Sequence, residues 1–356
     1  MHFLTSHIVI LSLLVVGCGA RTQLEDGSRD ELRTPTALDD AGDDAGNDTR
    51  DGASEGTPGE GVVTVCPRQK SVTPLLVAHL GLHPLIPRGA QTADEWVSAV
   101  DMPIDGGVHG YRVVGLSKCG AVRDIVAVSG GDPWPSLAIQ GDTLFISESR
   151  GVFAVPTQGG IPKLLVAKPG LLAVDETDVY VSDTYDDDKV TRTPRNGGPS
   201  VVISTQGGRE IAVDGTFVYV LGRDFRLLRI TKSDVTQVTE LAGPGSPGSY
   251  WELGALSQDA TRIFFARSPG SDGRVCAVSK DGGGLACTEP FPGGVSSLVW
   301  NGALYFPTSP EGIQRMGSVT TGSTAIVGNA SVRNLWVDDA SVWWLTFVGD
   351  LYRVDK

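Results

Sequence analysis

The sequence predicts an all-β fold: a β-propeller, seven blades with six as the competitor, four antiparallel strands per blade. Three observations predict it. A strand–turn–strand unit recurs six times, its turn residues Gln140, Asp175, Asp214, Asp259, Asn301 and Asp338 stepping by 35, 39, 45, 42 and 37 residues. A second, glycine-turned hairpin follows it in the clearest copies. The last copy stops one strand short, and a strand-like segment near the start of the domain supplies a partner.

The first hairpins are 137–146, 172–181, 211–220, 255–265, 297–306 and 335–344. Each is a short apolar strand, a turn, and a second strand heavy in Val, Tyr, Phe and Trp, the composition of buried β-structure. Asp or Asn at the turn position accepts a backbone N–H two residues on and closes the hairpin. The second hairpins, such as 153–166, 190–203 and 275–287, turn through Gly-Gly pairs, which supply the positive φ such turns require. A period near 40 residues with four strands per repeat is the spacing of propeller blades. No long helical period interrupts it.

The sixth copy ends at a third strand, Leu351 to Asp355. Its fourth strand is expected from Ser71 to Val77, so that the two ends pair, close the ring and leave no free edge. Residues 79–129 hold a divergent blade, with 93–97 at its first turn and 119–128 its last hairpin. The alternative is an insertion in a six-bladed ring. Four cysteines fit this map as disulfides. Cys276 and Cys287 flank a turn between third and fourth strands, and a Cys66–Cys119 bridge would pin the closure.

These repeats resemble the broad superfamily of bacterial six- and seven-bladed propellers that includes the TolB, NHL and YncE-like groups. The resemblance covers about residues 71–356 and implies the fold, not the function, since propellers host unrelated activities.

Ahead of the repeats lie two other segments. Ile8 to Val16 is apolar but too short to span a bilayer, and it has the length of a signal-peptide apolar region. With Val15-Val16-Gly17-Cys18 it resembles the lipobox of bacterial lipoproteins, although residues 1–7 lack Lys and Arg. The resemblance implies cleavage after residue 17, acylation (palmitate included) of Cys18, and, because Gly19 rather than Asp follows, sorting to the outer membrane. Residues 21–60 carry 12 acidic and 4 basic side chains and few apolar ones, so they account for −8 of the total charge of −13. That composition predicts an acidic disordered linker. The division is therefore 1–17 signal peptide, 18–60 lipidated cysteine and linker, and 61–356 propeller.

Functional positions are sought on the face that carries the loops between blades and between second and third strands, because the opposite face holds the repetitive turns. Trp134, Arg209, Glu210, Trp251, Glu252, Arg333 and Asn334 enter the innermost strands from that face and are the candidate ligand-binding residues. The loop bearing Asp183, Asp186, Asp187 and Asp188 offers oxygen ligands suited to calcium, with a solvated turn as the alternative; no other cofactor is expected. No Gly-x-Ser-x-Gly elbow and no phosphate-binding loop occurs. The weakly acidic domain has no basic cluster, which argues against nucleic acid. The reading is an exported binding scaffold of the cell envelope, anchored by lipid and facing the periplasm or cell surface, for a protein, peptide or glycan. The alternative is a metal-dependent hydrolase or lyase with an axial divalent ion, resembling the gluconolactonase-like propellers. Glu210, Glu252 and Asn334 supply part of such a set.

Overall fold

In a computed structural model of the chain, the described residues are 73–79, 90–92, 94–103, 109–129, 135–183, 189–244, 255–267, 272–292, 294–308 and 312–356. The signal peptide, the linker, Cys18 and Cys66 lie outside them.

The strands pair into seven antiparallel sheets. In chain order the blades span residues 90–129, 136–166, 171–204, 208–242, 256–287, 299–327 and 334–355. The segment read as divergent is thus a full blade, with strands Ala90–Gln91, Glu95–Pro103, His109–Ser117 and Val122–Ser129. Blade 7 takes its fourth strand from the other end of the domain: Leu75–His79 pairs antiparallel with Asp350–Asp355, Leu75 opposite Arg353. That strand begins later than the expected 71–77, directly after Pro74, which has no N–H to give a ladder. Blade 5 gains a strand that the repeat did not predict, Phe291–Pro292, paired with Asp272 and Gly273. Phe291 sets its ring edge-on to Phe306 of blade 6 at 5.1 Å.

Second strands are buried on both faces. Val179, Tyr180, Val181 and Ser182 are all buried, as are Val218 to Gly222 and Leu304 to Thr308. A period of two places alternate side chains in two different layers. The result is seven apolar layers, one at each blade–blade seam. Tyr219 and Leu221, for example, pack toward blade 5, while Val218 and Val220 pack toward blade 3. The closing seam is the most aromatic. Trp96 of blade 1, fully buried, lies 4.2 Å from Trp343 and 5.9 Å from Trp336 of blade 7. At the same seam Asn334 donates to Ser98 Oγ at 3.2 Å.

Polar latches cross the seams on the turn face. In blade 3, Asp175 Oδ1 accepts the N–H groups of Thr177 and Asp178, and Oδ2 accepts Tyr180 OH at 2.9 Å. Lys232 of blade 4 then reaches Asp175 Oδ2 at 2.5 Å. Blade 4 repeats the arrangement with Asp214, Thr216, Phe217, Tyr219 and Lys280 of blade 5. Across the closing seam Lys118 of blade 1 reaches Asp338 of blade 7 at 3.2 Å, and Lys356 of blade 7 reaches Asn301 of blade 6 at 3.0 Å. Each of these lysines directly follows a third strand. The third-strand residue opposite each aromatic is an arginine: Arg192, Arg229, Arg315 and Arg353 face Tyr180, Tyr219, Tyr305 and Trp343. Arg192 and Arg229 donate onward to the carbonyls of Lys232 and Lys280.

Blade 5 solves the same problem differently. Asp259 pairs with Arg262 of its own blade at 2.7 Å, and Arg262 lies 5.5 Å from the Trp300 ring of blade 6. Phe264 stacks on that tryptophan at 4.8 Å. On the outer side of blade 5, Cys276 and Cys287 are register partners joined by a disulfide, as the sequence predicts. Cys119, in the turn just past the third strand of blade 1, is disulfide-bonded as well.

The latches make stability pH-dependent. Burial alone would raise the Asp214 pKa, but the bonds from Lys280, Thr216, Phe217 and Tyr219 outweigh it and hold it at about 2, against 3.8 ordinarily. Asp175, Asp259 and Asp338 are depressed by the same balance of burial against N–H and cation donors. A carboxylate whose folded pKa is depressed stabilises the fold above its unfolded value and loses that contribution as pH falls through the folded one. Replacement Asp214→Asn is expected to cost about 2 kcal/mol at pH 7, the scale of a hydrogen bond to a charged group. The difference from the parent should close between pH 3.8 and about 2 in urea melts; a constant difference across that range would refute the assignment. Trp96→Ala at the closing seam is expected to cost about 3–5 kcal/mol in the same measurement, the usual loss for emptying a tryptophan-sized site.

Candidate functional site

On the loop face, chain geometry first explains how each blade enters its inner strand. Near the end of the second strand of blade 2, Ser147 Oγ accepts Gly170 N–H at 2.9 Å; the second strand of blade 3 ends in Ser182, whose Oγ accepts Gly208 N–H at 2.8 Å. Gly208 has no room for a side chain, since a Cβ there would collide with the Leu221 carbonyl. These serines bind one blade to the entrance of the next, and Ser182 fixes where the residues after Gly208 stand.

Arg209 and Glu210 follow on the inner strand Gly208–Val213. Arg209 donates to the Arg223 carbonyl at 3.2 Å and lays its guanidinium 4.7 Å from the Phe225 ring. Phe225 is buried and holds a positive φ of 61° in the tight loop from Gly222 to Arg226. A bulky residue rarely adopts that conformation, and it persists only where its surroundings over-determine it. Glu210 is buried, with Oε1 accepting Ile211 N–H at 3.3 Å. A cavity of about 250 Å³ opens beside this loop, lined by residues 205–207 together with Gly222, Arg223, Asp224, Arg226 and Leu228.

Arg333 and Asn334 stand at the entrance to blade 7. Asn334 is fully buried and serves the ring closure through Ser98. Arg333 is half-buried, and burial pulls its pKa below the ordinary arginine value. Its guanidinium lies 5.2 Å from the ring of Phe347, in the loop between the second and third strands of the same blade. Trp134, Trp251 and Glu252 lie outside the described residues.

Asp183 is buried and paired with Lys168 Nζ at 2.9 Å; its N–H closes the loop on the Lys189 carbonyl at 2.8 Å. Asp186, Asp187 and Asp188 lie outside the described residues. Among the described residues no group of three or more His, Cys, Asp or Glu side chains is placed to hold a metal. Glu148 is a second buried carboxylate on this face, its Oε1 accepting from the exposed Arg150 Nε at 2.5 Å.

Sequence reasoning missed Glu148, Arg150, Lys168 and Phe347. A signal was present for the first three, since they flank the second-to-third turn and the inter-blade link next to Asp183. The turn-face lysines were missed too, although a cation directly follows five of the seven third strands: Lys118, Arg195, Lys232, Lys280 and Lys356.

No protein-family model matches the chain, and no curated protein matches it. Solved structures do. An extracellular domain from B. thetaiotaomicron, described as part of a hybrid two-component system, aligns over 76% of this chain and 39% of its own at 12% identity and a TM-score of 0.54. BamB from Moraxella catarrhalis aligns over 80% of this chain and 98% of its own at 15% identity and a TM-score of 0.49. The computationally designed protein Ika8 aligns over 81% and 100% at 12% identity and a TM-score of 0.47. At these identities the likeness is one of fold alone.

Proposed function

We propose that this chain is an exported binding scaffold. A lipid on Cys18 and the linker 18–60 tether it to the outer membrane, facing the periplasm or the cell surface. Two acyl chains give the stable anchorage that one does not. The loop face takes a partner from the protein, peptide or glycan class, and a protein or peptide suits it best.

The observation that carries this reading is the tip of the blade 7 loop. Phe347 and Val348 are 53% and 58% exposed, side by side, on the face where the inter-blade loops gather. The half-buried Arg333 backs the Phe347 ring and fixes its orientation. An arginine and an aromatic ring, pre-ordered on a rigid rim, are the residue types that dominate interface energetics. A short turn on a closed ring has less ordering to lose on binding than a long free loop.

A photo-crosslinking residue at position 347 in intact cell envelopes is expected to give a discrete adduct that Arg333→Ala weakens about tenfold, the loss of one well-placed contact. Position 161, which is 92% exposed in the turn of the last hairpin of blade 2, is the control and should give none. Equal adducts at both positions would sink the loop-face reading. For the anchor, mass spectrometry of the mature N-terminus should find acylated Cys18, and Cys18→Ser should release the chain from membranes. A variant that stays membrane-bound would refute the tether.

A further inference from the structure

The internal repeat supplies its own reference for one anomalous seam. Between blades 3 and 4, and between 4 and 5, the cation after a third strand meets an aspartate carboxylate supported by a tyrosine hydroxyl. Between blades 2 and 3 the corresponding residues are replaced, and the cation meets no carboxylate among the described residues. The turn aspartate is Gln140, the tyrosine is Phe145, and the arginine opposite the aromatic is Ala154. The cation remains. Arg195 directly follows the third strand of blade 3 and reaches back across the seam as its counterparts do.

Arg195 is satisfied there only by neutral groups. Its Nη1 donates to the Glu176 carbonyl at 3.1 Å, its Nη2 to the Gln140 carbonyl at 3.3 Å, and it lies 5.7 Å from the Phe145 ring. Among the described residues it has no carboxylate partner. An open cavity of about 440 Å³ lies beside Arg195, lined by Thr143, Phe145, Glu176, Thr177, Arg195 and Asn196. That is within the size range of small-molecule sites. Phe145 is its apolar lining residue, two threonines and an asparagine add hydrogen-bonding groups, and Glu176 is the acidic residue of the lining.

We propose that this cavity binds a small α-amino acid. The ligand carboxylate takes the place that Asp175 and Asp214 fill at the neighbouring seams, on Arg195. The ammonium group answers Glu176, whose charge would repel a simple carboxylate. The site lies on the turn face, opposite the loop-face surface proposed for the partner, and does not depend on it.

Ligand-observed NMR with the full-length chain tests this with glycine, acetate and methylamine as probes at millimolar concentration. Glycine is expected to bind, with acetate and methylamine each at least about tenfold weaker, the loss of one charged contact. Arg195→Gln should remove glycine binding. Gln140→Asp should also remove it, by giving Arg195 an internal carboxylate, and should raise the thermal midpoint. That gain separates a filled site from a damaged fold. Glycine binding that survives Gln140→Asp, acetate binding as tightly as glycine, or no binding of glycine to the parent chain would each overturn the proposal.

Discussion

The structure depends on one constraint: no blade can bury its own faces. A four-stranded sheet whose second strand is apolar on both sides needs a neighbour on each side, and only a closed ring gives every blade two. The seven apolar layers are therefore one cooperative system. The polar latches sit at the rim of these layers, where a carboxylate can keep partial contact with water while accepting two N–H groups, a hydroxyl and a lysine. They add registration to a packing that is otherwise greasy and tolerant of sliding. Blade 5 shows that the demand is general, because it meets it with Arg262 and Trp300 in place of the cross-seam lysine.

Much of the fold was legible because it is local. The turn residues Asp175, Asp214, Asp259 and Asp338 close their own turns within three residues of themselves, so a period and a residue type suffice to find them. The disulfide between Cys276 and Cys287 was equally readable, since both ends belong to one hairpin. The lysines were not, because Lys232 has no meaning for Asp175 until two blades stand side by side. Pro74 set the true start of the closing strand, a local rule that the apolar pattern of 71–77 obscured. The extra strand Phe291–Pro292 follows from no repeat; it exists because Phe291 finds Phe306 across a seam.

The candidate site was legible in position more than in role. The strand period places Arg209, Glu210, Arg333 and Asn334 at entrances to inner strands, and they are there. What each does depends on approach through space. Arg209 is committed to Phe225, and Asn334 to Ser98. Phe347 escaped notice because a single aromatic in a short turn has no sequence pattern. Its significance comes from its exposure and from the arginine behind it.

The borrowed strand of blade 7 has a consequence for the order of events during folding. Because Leu75 pairs with Arg353, the first described strand of the ring must wait during synthesis for the last before it gains its partner. Until then blades 1 and 7 each show an open aromatic wall, Trp96 on one side and Trp336 with Trp343 on the other. Contacts so distant along the chain form late and slowly. The interval between synthesis and closure is the period in which the molecule is most vulnerable to proteases and to its own copies. A bond made near the ends before closure would shorten that interval by lowering the entropy of bringing them together.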